Sequence, residues 1–215
     1  ADLPSIPEGL APEPLTQAAL AGDPMALFEI GLRLMEGHVG DPDAKAAASW
    51  FELSAERGFA PAEYSLGTLY EKGNGVDRDL ARAREAYLAA AGSGNVRAMH
   101  NLAVLYATGI DGKSDPVQAA QWFEKAASYG MPDSQYNLGI LYARGAGVDQ
   151  DLAKSYKWFS IVSASGDTDA TTKRDEIKKA LTPAQLKTVD AEIASFEPLE
   201  RNDAANTVDI PKEWT

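Results

Sequence analysis

The chain has no cysteine, only two histidines, and fewer basic than acidic residues. The absence of cysteine excludes disulfide bridges, thiol catalysis and cysteine-ligated zinc. Lys and Arg number 20 against 32 Asp and Glu, and the formal net charge of −12 disfavours binding to nucleic acid. No run approaches the ~18–20 apolar residues that cross a bilayer, so we expect no direct membrane insertion by this segment.

A motif recurs along most of the chain at a fixed interval. The segment Ala62–Tyr70 is repeated at Ala98–Tyr106 and again at Ser134–Tyr142, a period of 36 residues (98 − 62 and 134 − 98). A constant period in this range is typical of stacked structural repeats. The predicted divisions are a leading half-unit at 14–23 and full units at 24–59, 60–95, 96–131 and 132–167.

Each unit has the pattern of two helices separated by a short loop. Apolar residues at helical spacing predict a first helix over Pro61–Lys72, closed by Gly73, which suits the left-handed conformation of a helix end. Asp79 has the side chain of an N-cap residue and precedes a second helix over Leu80–Ala91 that stops at Gly94. The same cap position is occupied in the other units by Asp43, Asp115 and Asp151.

Two further positions of the unit indicate how hairpins pack. Small residues allow a neighbouring helix to approach, and they are Gly67, Ala103 and Gly139. Bulky residues at another shared position fill the space beyond, and they are Trp50, Trp122 and Trp158. Because one hairpin cannot bury its own apolar face, the units must stack. The predicted fold class is all-α: an α-α superhelix, or right-handed solenoid, of helical hairpins with a C-terminal helical cap.

The repeated pattern resembles the Sel1-like repeat, a relative of the tetratricopeptide repeat. Its fullest form, Ala-x-x-x-Leu-Gly-x-Leu-Tyr-x-x-Gly-x-Gly-Val-x-x-Asp, stands at Ala62–Asp79, and the resemblance covers Pro14–Asp167. The third unit departs from it with Gly-Ile-Asp-Gly at 109–112. The first unit has Arg33 where the others have Leu, as is expected of a terminal repeat that lacks one neighbour.

Two segments resemble a narrower group, the C-terminal periplasmic region of PodJ-type polar localisation factors of alphaproteobacteria. These segments are Asn95–Tyr106 and Ala205–Pro211, and the truncated leading half-unit at 14–23 shows the same resemblance. The resemblance implies a periplasmic location at a cell pole, as the C-terminal part of a single-pass inner-membrane protein that organises other proteins. The start at Ala1 rather than Met is expected of a piece of such a longer protein.

The two ends of the chain do not follow the repeat. Residues 1–13 contain three prolines and are predicted to be an extended linker. Residues 168–197 are predicted to form two capping helices, Asp169–Leu181 and Pro183–Phe196, the second with Thr182 as its N-cap. The polar tail at 198–215 is compatible either with disorder or with a position across the repeats.

The sequence offers no catalytic constellation. His38 and His100 lie in different units and different parts of the hairpin, so they provide neither a zinc site nor a catalytic triad. Gly73 and Gly75 lack the preceding strand and the Lys-Ser/Thr of a phosphate loop, and they are predicted to serve a turn. We therefore predict no enzyme activity, no catalytic residue, no metal site and no cofactor.

Binding to another macromolecule is the remaining class of function. By analogy with tetratricopeptide arrays, the first helices would line a concave groove, and the predicted partner-binding residues are Tyr64, Thr68, Glu71, His100, Val104, Tyr136, Ile140 and Arg144. The alternative for these rings is a purely structural role between adjacent hairpins. The expected partners are periplasmic or envelope proteins bound by a polarity scaffold, and the alternative is direct binding to peptidoglycan.

Overall fold

A computed structural model describes residues 3–110 and 112–215, and the regular secondary structure of this part of the chain is helical. Its twelve α-helices are α1 (Glu13–Leu20), α2 (Pro24–Glu36), α3 (Ala44–Ala55), α4 (Ala60–Lys72), α5 (Leu80–Gly92), α6 (Val96–Thr108), α7 (Pro116–Ser128), α8 (Pro132–Arg144), α9 (Leu152–Ser163), α10 (Thr168–Lys178), α11 (Pro183–Ala194) and α12 (Asp203–Asn206). A 3₁₀ turn follows at Lys212–Trp214, and no strand occurs among the described residues. The predicted all-α class is confirmed.

The helices alternate in role as the repeat requires. We call the first helix of each unit its A helix (α2, α4, α6 and α8) and the second its B helix (α3, α5, α7 and α9). Each hairpin pairs an A helix with the following B helix, as α4 packs on α5 and α8 on α9. Within each unit, successive hairpins are joined by contacts of a B helix with the next A helix, as in α3 with α4 and α7 with α8.

The chain divides into two compact units, which are described separately below. Unit 1 comprises the described residues up to Ala98 together with Asn202–Thr215, and unit 2 comprises Met99–Arg201. The largest fully buried side chains of unit 1 include Leu27, Ile30, Trp50, Phe51 and Tyr87. The buried core of unit 2 contains Ala103, Ala119, Phe123, Ala127, Leu138, Tyr142 and Trp158.

The predicted N-cap residues and helix-ending glycine are present. The carboxylate of Asp79 accepts hydrogen bonds from the backbone N–H groups of Ala81 and Arg82, each at 3.0 Å. The other predicted N-caps accept in the same way, and they are Asp43, Asp115 and Asp151. Gly73 ends α4 with a φ of 68°, in the left-handed region that glycine adopts without steric cost.

The loops that join A and B helices also hold neighbouring hairpins together. A Cβ atom on Gly75 would collide with the backbone of Ala44, at the start of the preceding B helix in unit 1. In unit 2, a Cβ on Gly147 would collide with the carbonyl of Pro116. Glycine is therefore required at these two positions by a backbone-to-backbone contact, in addition to the turn that the sequence predicted.

Two helices follow the last hairpin in unit 2, as predicted, and both pack on α9. The α10 helix has Asp167 as its N-cap and buries Ala170 against Phe159. The α11 helix begins with a capping box between Thr182 and Gln185. Its apolar face covers a cluster that consists of Tyr156, Leu181 and Val189, with Leu186 and Ile193 beside it.

The segments outside the repeats are attached to them. Leu10, within the predicted linker, is only 2% exposed. Near the other end of unit 1, Ala205 and Trp214 are also buried. The C-terminal tail, for which the sequence left two possibilities, therefore packs against the repeats of unit 1.

Candidate functional site

One aromatic ring projects from the same position of each A helix and packs against an aromatic ring of its own B helix. Because the repeat fixes both positions, the pairing recurs, although the angle between the two rings ranges from 33° to 75°. The pairs and their ring-centroid distances are Phe28 with Phe51 (5.1 Å), Tyr64 with Tyr87 (6.0 Å), His100 with Phe123 (5.7 Å) and Tyr136 with Phe159 (5.5 Å).

The close approach of each pair of helices depends on a small residue one turn along the A helix. A Cβ atom built on Gly67 would lie 2.5 Å from Cδ1 of Tyr87. At Gly139 the corresponding atom would lie 3.0 Å from the ring of Phe159. The predicted role of these residues in allowing close helix contact is therefore observed.

In unit 1, several polar groups near Tyr64 have partners within the protein. The guanidinium of Arg97, on the next A helix, lies 4.7 Å from the centroid of the Tyr64 ring. The hydroxyl of Thr68 donates to the carbonyl of Tyr64, and the carboxylate of Glu71 accepts a 2.6 Å hydrogen bond from the hydroxyl of Tyr87. Tyr64, Thr68 and Glu71 thus lie in one stretch of the same A helix, and Arg97 covers its ring.

In unit 2, His100 connects two successive A helices. Its Nδ1 atom lies 2.8 Å from the hydroxyl of Ser134. Burial lowers the pKa of His100 below its ordinary value, and the nearby carboxylate of Asp133 opposes that shift. Val104, one turn further along the helix, packs against the unit 2 core.

Tyr136 makes the corresponding contact with the first capping helix. Its hydroxyl donates to the carboxylate of Asp169, and the ammonium of Lys173 lies 5.9 Å from its ring centroid. Lys173 also pairs with Asp169 at 3.0 Å. The hydrogen bond to Asp169 is the main cause of the raised pKa of Tyr136.

Ile140 and Arg144 line a small cavity on the same face of unit 2. Its volume is about 230 Å³. Ile140, Phe159 and Ile177 provide apolar walls, and all three contribute to one hydrophobic cluster. Charged side chains also line it, and they are Arg144, Lys173 and Glu176. Of the predicted partner-binding residues, these two are the ones that the structure brings to a common cavity in unit 2.

The four repeat units match a known family. The Sel1 repeat model matches residues 24–59, 60–95, 96–130 and 132–167. The chain belongs to the Sel1 repeat family. Repeats of this family generally serve as protein-interaction modules, and its members are typically non-enzymatic scaffolds.

Solved structures with the same repeat are similar over most of the chain. A Sel1 repeat protein from Oxalobacter formigenes has a TM-score of 0.71 and 26% sequence identity, over 86% of this chain and 78% of that chain. The protein c5321, a protective antigen of uropathogenic Escherichia coli strains with an SLR fold, has a TM-score of 0.51 and 27% identity, over 86% of this chain and 48% of its own. No curated protein matches the chain.

The Sel1 repeat pattern accounts for the rings but not for their polar neighbours. The A-helix ring of one repeat meets a residue near the start of the next A helix or, for the last repeat, of α10. These residues are Arg97, Ser134 and Asp169. Their chemistry differs from repeat to repeat because the hairpin itself does not need them. The repeat period alone could have located this position near the start of the A helix, since Arg97 and Asp133 are equivalent residues of successive repeats. It could not have predicted which side chains interact.

The described residues contain neither a metal-binding cluster nor a membrane-spanning helix. Within 3–110 and 112–215, no three His, Cys, Asp or Glu side chains are placed to hold a metal ion. In the same part of the chain, every helix is too short or too polar to cross a bilayer. His38 lies 2.8 Å from Glu36 on the surface of unit 1.

Proposed function

We propose that the chain is a protein-interaction module that binds partner proteins through the A-helix face of unit 2. The observation that carries the proposal is the cavity between α8 and α10, because it combines an apolar floor with exposed charge. Ile140 and Ile177 offer contact area to an apolar side chain, and Arg144 offers a cation beside it. Such a combination is typical of a pocket that receives one anchoring residue of a partner.

The size of the cavity favours a protein segment over a small molecule. At about 230 Å³ it is smaller than the ~300–1,000 Å³ of pockets that enclose drug-sized ligands. A single aliphatic side chain fits such a volume, and the remainder of the segment would then lie along the A-helix face. Two cations and one carboxylate line the cavity, so the preferred segment carries an acidic residue next to its apolar anchor.

A reversal of charge at Arg144 tests this proposal. Arg144 is exposed, so Arg144→Glu removes the cation without disturbing the core. The matched control is Lys187→Glu, which makes the same change of charge at an exposed position of α11 outside the cavity. Both variants should fold like the wild type by circular dichroism.

The readout is capture of proteins from an envelope fraction of the source organism by the immobilised chain. We expect Arg144→Glu to lose at least one partner that the wild type and Lys187→Glu retain, with a tenfold or greater loss of affinity for the purified partner. Equal capture by all three proteins would remove the cavity from the proposal. Loss of the same partner from both variants would indicate a general effect of charge.

We further propose that the module acts in the periplasm, near a cell pole, as part of a polarity scaffold. The support is the resemblance of Asn95–Tyr106 and Ala205–Pro211 to PodJ-type localisation factors. Because the chain contains no cysteine, Lys187→Cys introduces a single reporter thiol. A membrane-impermeant maleimide should label this variant of the native protein in intact cells, and protection until the inner membrane is broken would contradict the proposal.

A further inference from the structure

The C-terminal segment Asn202–Thr215 is held on unit 1 by hydrogen bonds to the backbone of a repeat turn. Asn206 accepts from the N–H of Val96 through its Oδ1 atom, at 2.9 Å, and donates through Nδ2 to the carbonyl of Gly94, also at 2.9 Å. Asn202 donates to the carbonyl of Ser93 at 3.0 Å. Two asparagines of the segment therefore contact backbone groups at the turn between α5 and α6.

The repeat contributes a buried amide to the same interface. Asn95 is fully buried, and its Oδ1 atom caps α6 by accepting from the N–H of Ala98. Its Nδ2 atom donates to the carbonyl of Ala205 at 2.6 Å. The equivalent residue of the first repeat is Asp23, which caps α2 with a carboxylate. A carboxylate is sufficient for the cap, so the amide donor of Asn95 serves the segment alone.

A second anchor lies under the end of the segment. Arg33 is buried in α2, where the other repeats have leucine, and its Nε atom lies 2.7 Å from Glu29. Its two terminal nitrogens donate to the carbonyls of Leu10 and Trp214. Arg33 and Asn95 thus both bind main-chain carbonyl groups, a contact that any extended peptide can supply.

The segment itself has the properties of a ligand that folds on binding. Its helix α12 has four residues, too few to be stable without the repeats. Ala205 and Trp214 are its buried apolar residues, whereas Asp203, Asp209 and Glu213 are exposed. A peptide with so little apolar surface pays its ordering entropy on docking, and its intrinsic affinity is correspondingly modest.

Because the segment is covalently attached to the repeats, a modest intrinsic affinity is sufficient to keep its site occupied. The segment is joined to α11 through residues 195–201, which are held on unit 2: the N–H of Leu199 donates to the carbonyl of Ser128, and the guanidinium of Arg201 donates to the carbonyl of Tyr129. A short tether gives an effective concentration on the order of 1 mM. An intrinsic dissociation constant of about 10 µM would then keep the site about 99% occupied.

We propose that this face of unit 1, formed by Arg33, Asn95 and the turn at Ser93–Val96, is a peptide-binding site. Its own C-terminal segment Asn202–Thr215 occupies it as a tethered ligand, and a separate segment with the same asparagines and backbone contacts replaces it. This site is different from the cavity of unit 2, so failure of peptide binding on unit 1 would leave the proposal for the unit 2 cavity unaffected, and the reverse also holds.

The test begins with the full chain carrying a protease recognition sequence between Glu200 and Arg201. After cleavage, the segment should dissociate on gel filtration while the remainder keeps its helical circular dichroism. A fluorescent synthetic peptide with the sequence of Asn202–Thr215 should then bind the remainder, with micromolar affinity by anisotropy, and bind the uncut protein at least tenfold more weakly.

Substitutions identify the contacts responsible. A peptide with Asn206→Ala should bind at least tenfold more weakly, and the matched control Asp209→Ala, at an exposed position, should bind like the wild type. On the protein, Asn95→Asp retains the cap of α6 but lacks the donor to Ala205, and it should weaken binding similarly. Failure of the segment to dissociate, unfolding of the remainder on its loss, absence of rebinding, or equal binding of all peptides would overturn the proposal.

Discussion

Substitution of Gly67 by alanine places two opposing effects in direct competition. Alanine is favoured over glycine in a helix interior by about 1 kcal/mol. At Gly67, however, the new Cβ would lie 2.5 Å from Cδ1 of Tyr87, a ring with no exposed surface. Overpacking in a well-packed core costs about 1–3 kcal/mol, and a contact this short with a buried ring belongs at the upper end. The expected net loss is about 2 kcal/mol.

Two other glycines of the chain provide an internal scale. A Cβ on Gly92, at the end of α5, meets nothing within 4 Å, so Gly92→Ala should stabilise the protein. At Gly139 the nearest ring atom lies at 3.0 Å, and the third repeat has Ala103 beside Phe123 at the equivalent position. Gly139→Ala should therefore be close to neutral.

Thermal unfolding followed by circular dichroism measures all three variants. A change of 1 kcal/mol shifts the melting temperature of a protein of this size by about 2–4 °C, so Gly67→Ala should melt about 4–8 °C below the wild type. The melting temperatures should rank Gly92→Ala, Gly139→Ala, Gly67→Ala from highest to lowest. If Gly67→Ala melts with Gly92→Ala, close ring packing does not limit this position and the argument is wrong.

Three further substitutions test individual polar groups. Glu63 has a raised pKa because of burial, and its Oε2 atom has no hydrogen-bond partner; Glu63→Gln should stabilise the protein by about 1 kcal/mol at neutral pH. The raised pKa means that the fold disfavours the charged form of Glu63. The gain in melting temperature from Glu63→Gln should therefore shrink as the pH falls through the pKa of Glu63 in the folded protein towards 4.5. A gain that is independent of pH would contradict this explanation. Asp79→Ala removes the N-cap of α5 and should cost about 1 kcal/mol in urea unfolding, whereas no loss would show the cap to be dispensable. Arg33→Leu leaves Glu29 buried and unpaired and should cost about 3–5 kcal/mol, and recovery of most of that loss by adding Glu29→Asn would identify the stranded carboxylate as the cause.

The repeat and its helices could be predicted because the residues that define them act locally. Asp79 caps the helix that follows it and Gly73 ends the helix that precedes it, so each can be recognised within a few residues of sequence. The capping box at Thr182 is equally local. The rings of the A helices recur in phase with the hairpin, and their contact with the B helix follows from that phase.

The candidate site was predictable only in part, because two of its charged residues lie outside the repeats. Ile140 and Arg144 occupy repeat positions and were identified from the sequence. Lys173 and Glu176 belong to α10, which begins in phase with the A helices at Asp167 but then loses their apolar pattern. The N-cap Asp167 was the available sign that α10 continues the stack of A helices. The loss of the apolar A-helix pattern after Asp167 concealed it.

The C-terminal segment shows why long-range polar contacts escape a sequence analysis. Three of the side chains that hold it, Asn95, Asn202 and Asn206, are each compatible with a solvent-exposed turn, and only their meeting in unit 1 gives them a common role. Arg33 is the instructive case. A charged residue in place of a leucine suggested a repeat that lacks a neighbour, and this position is in fact covered by the segments that contain Leu10 and Trp214. A buried cation is tolerable there because Glu29 balances its charge and two carbonyls accept its remaining hydrogen bonds. Arg33, the residue that departs from the repeat pattern, therefore lies where segments outside the repeats pack against them.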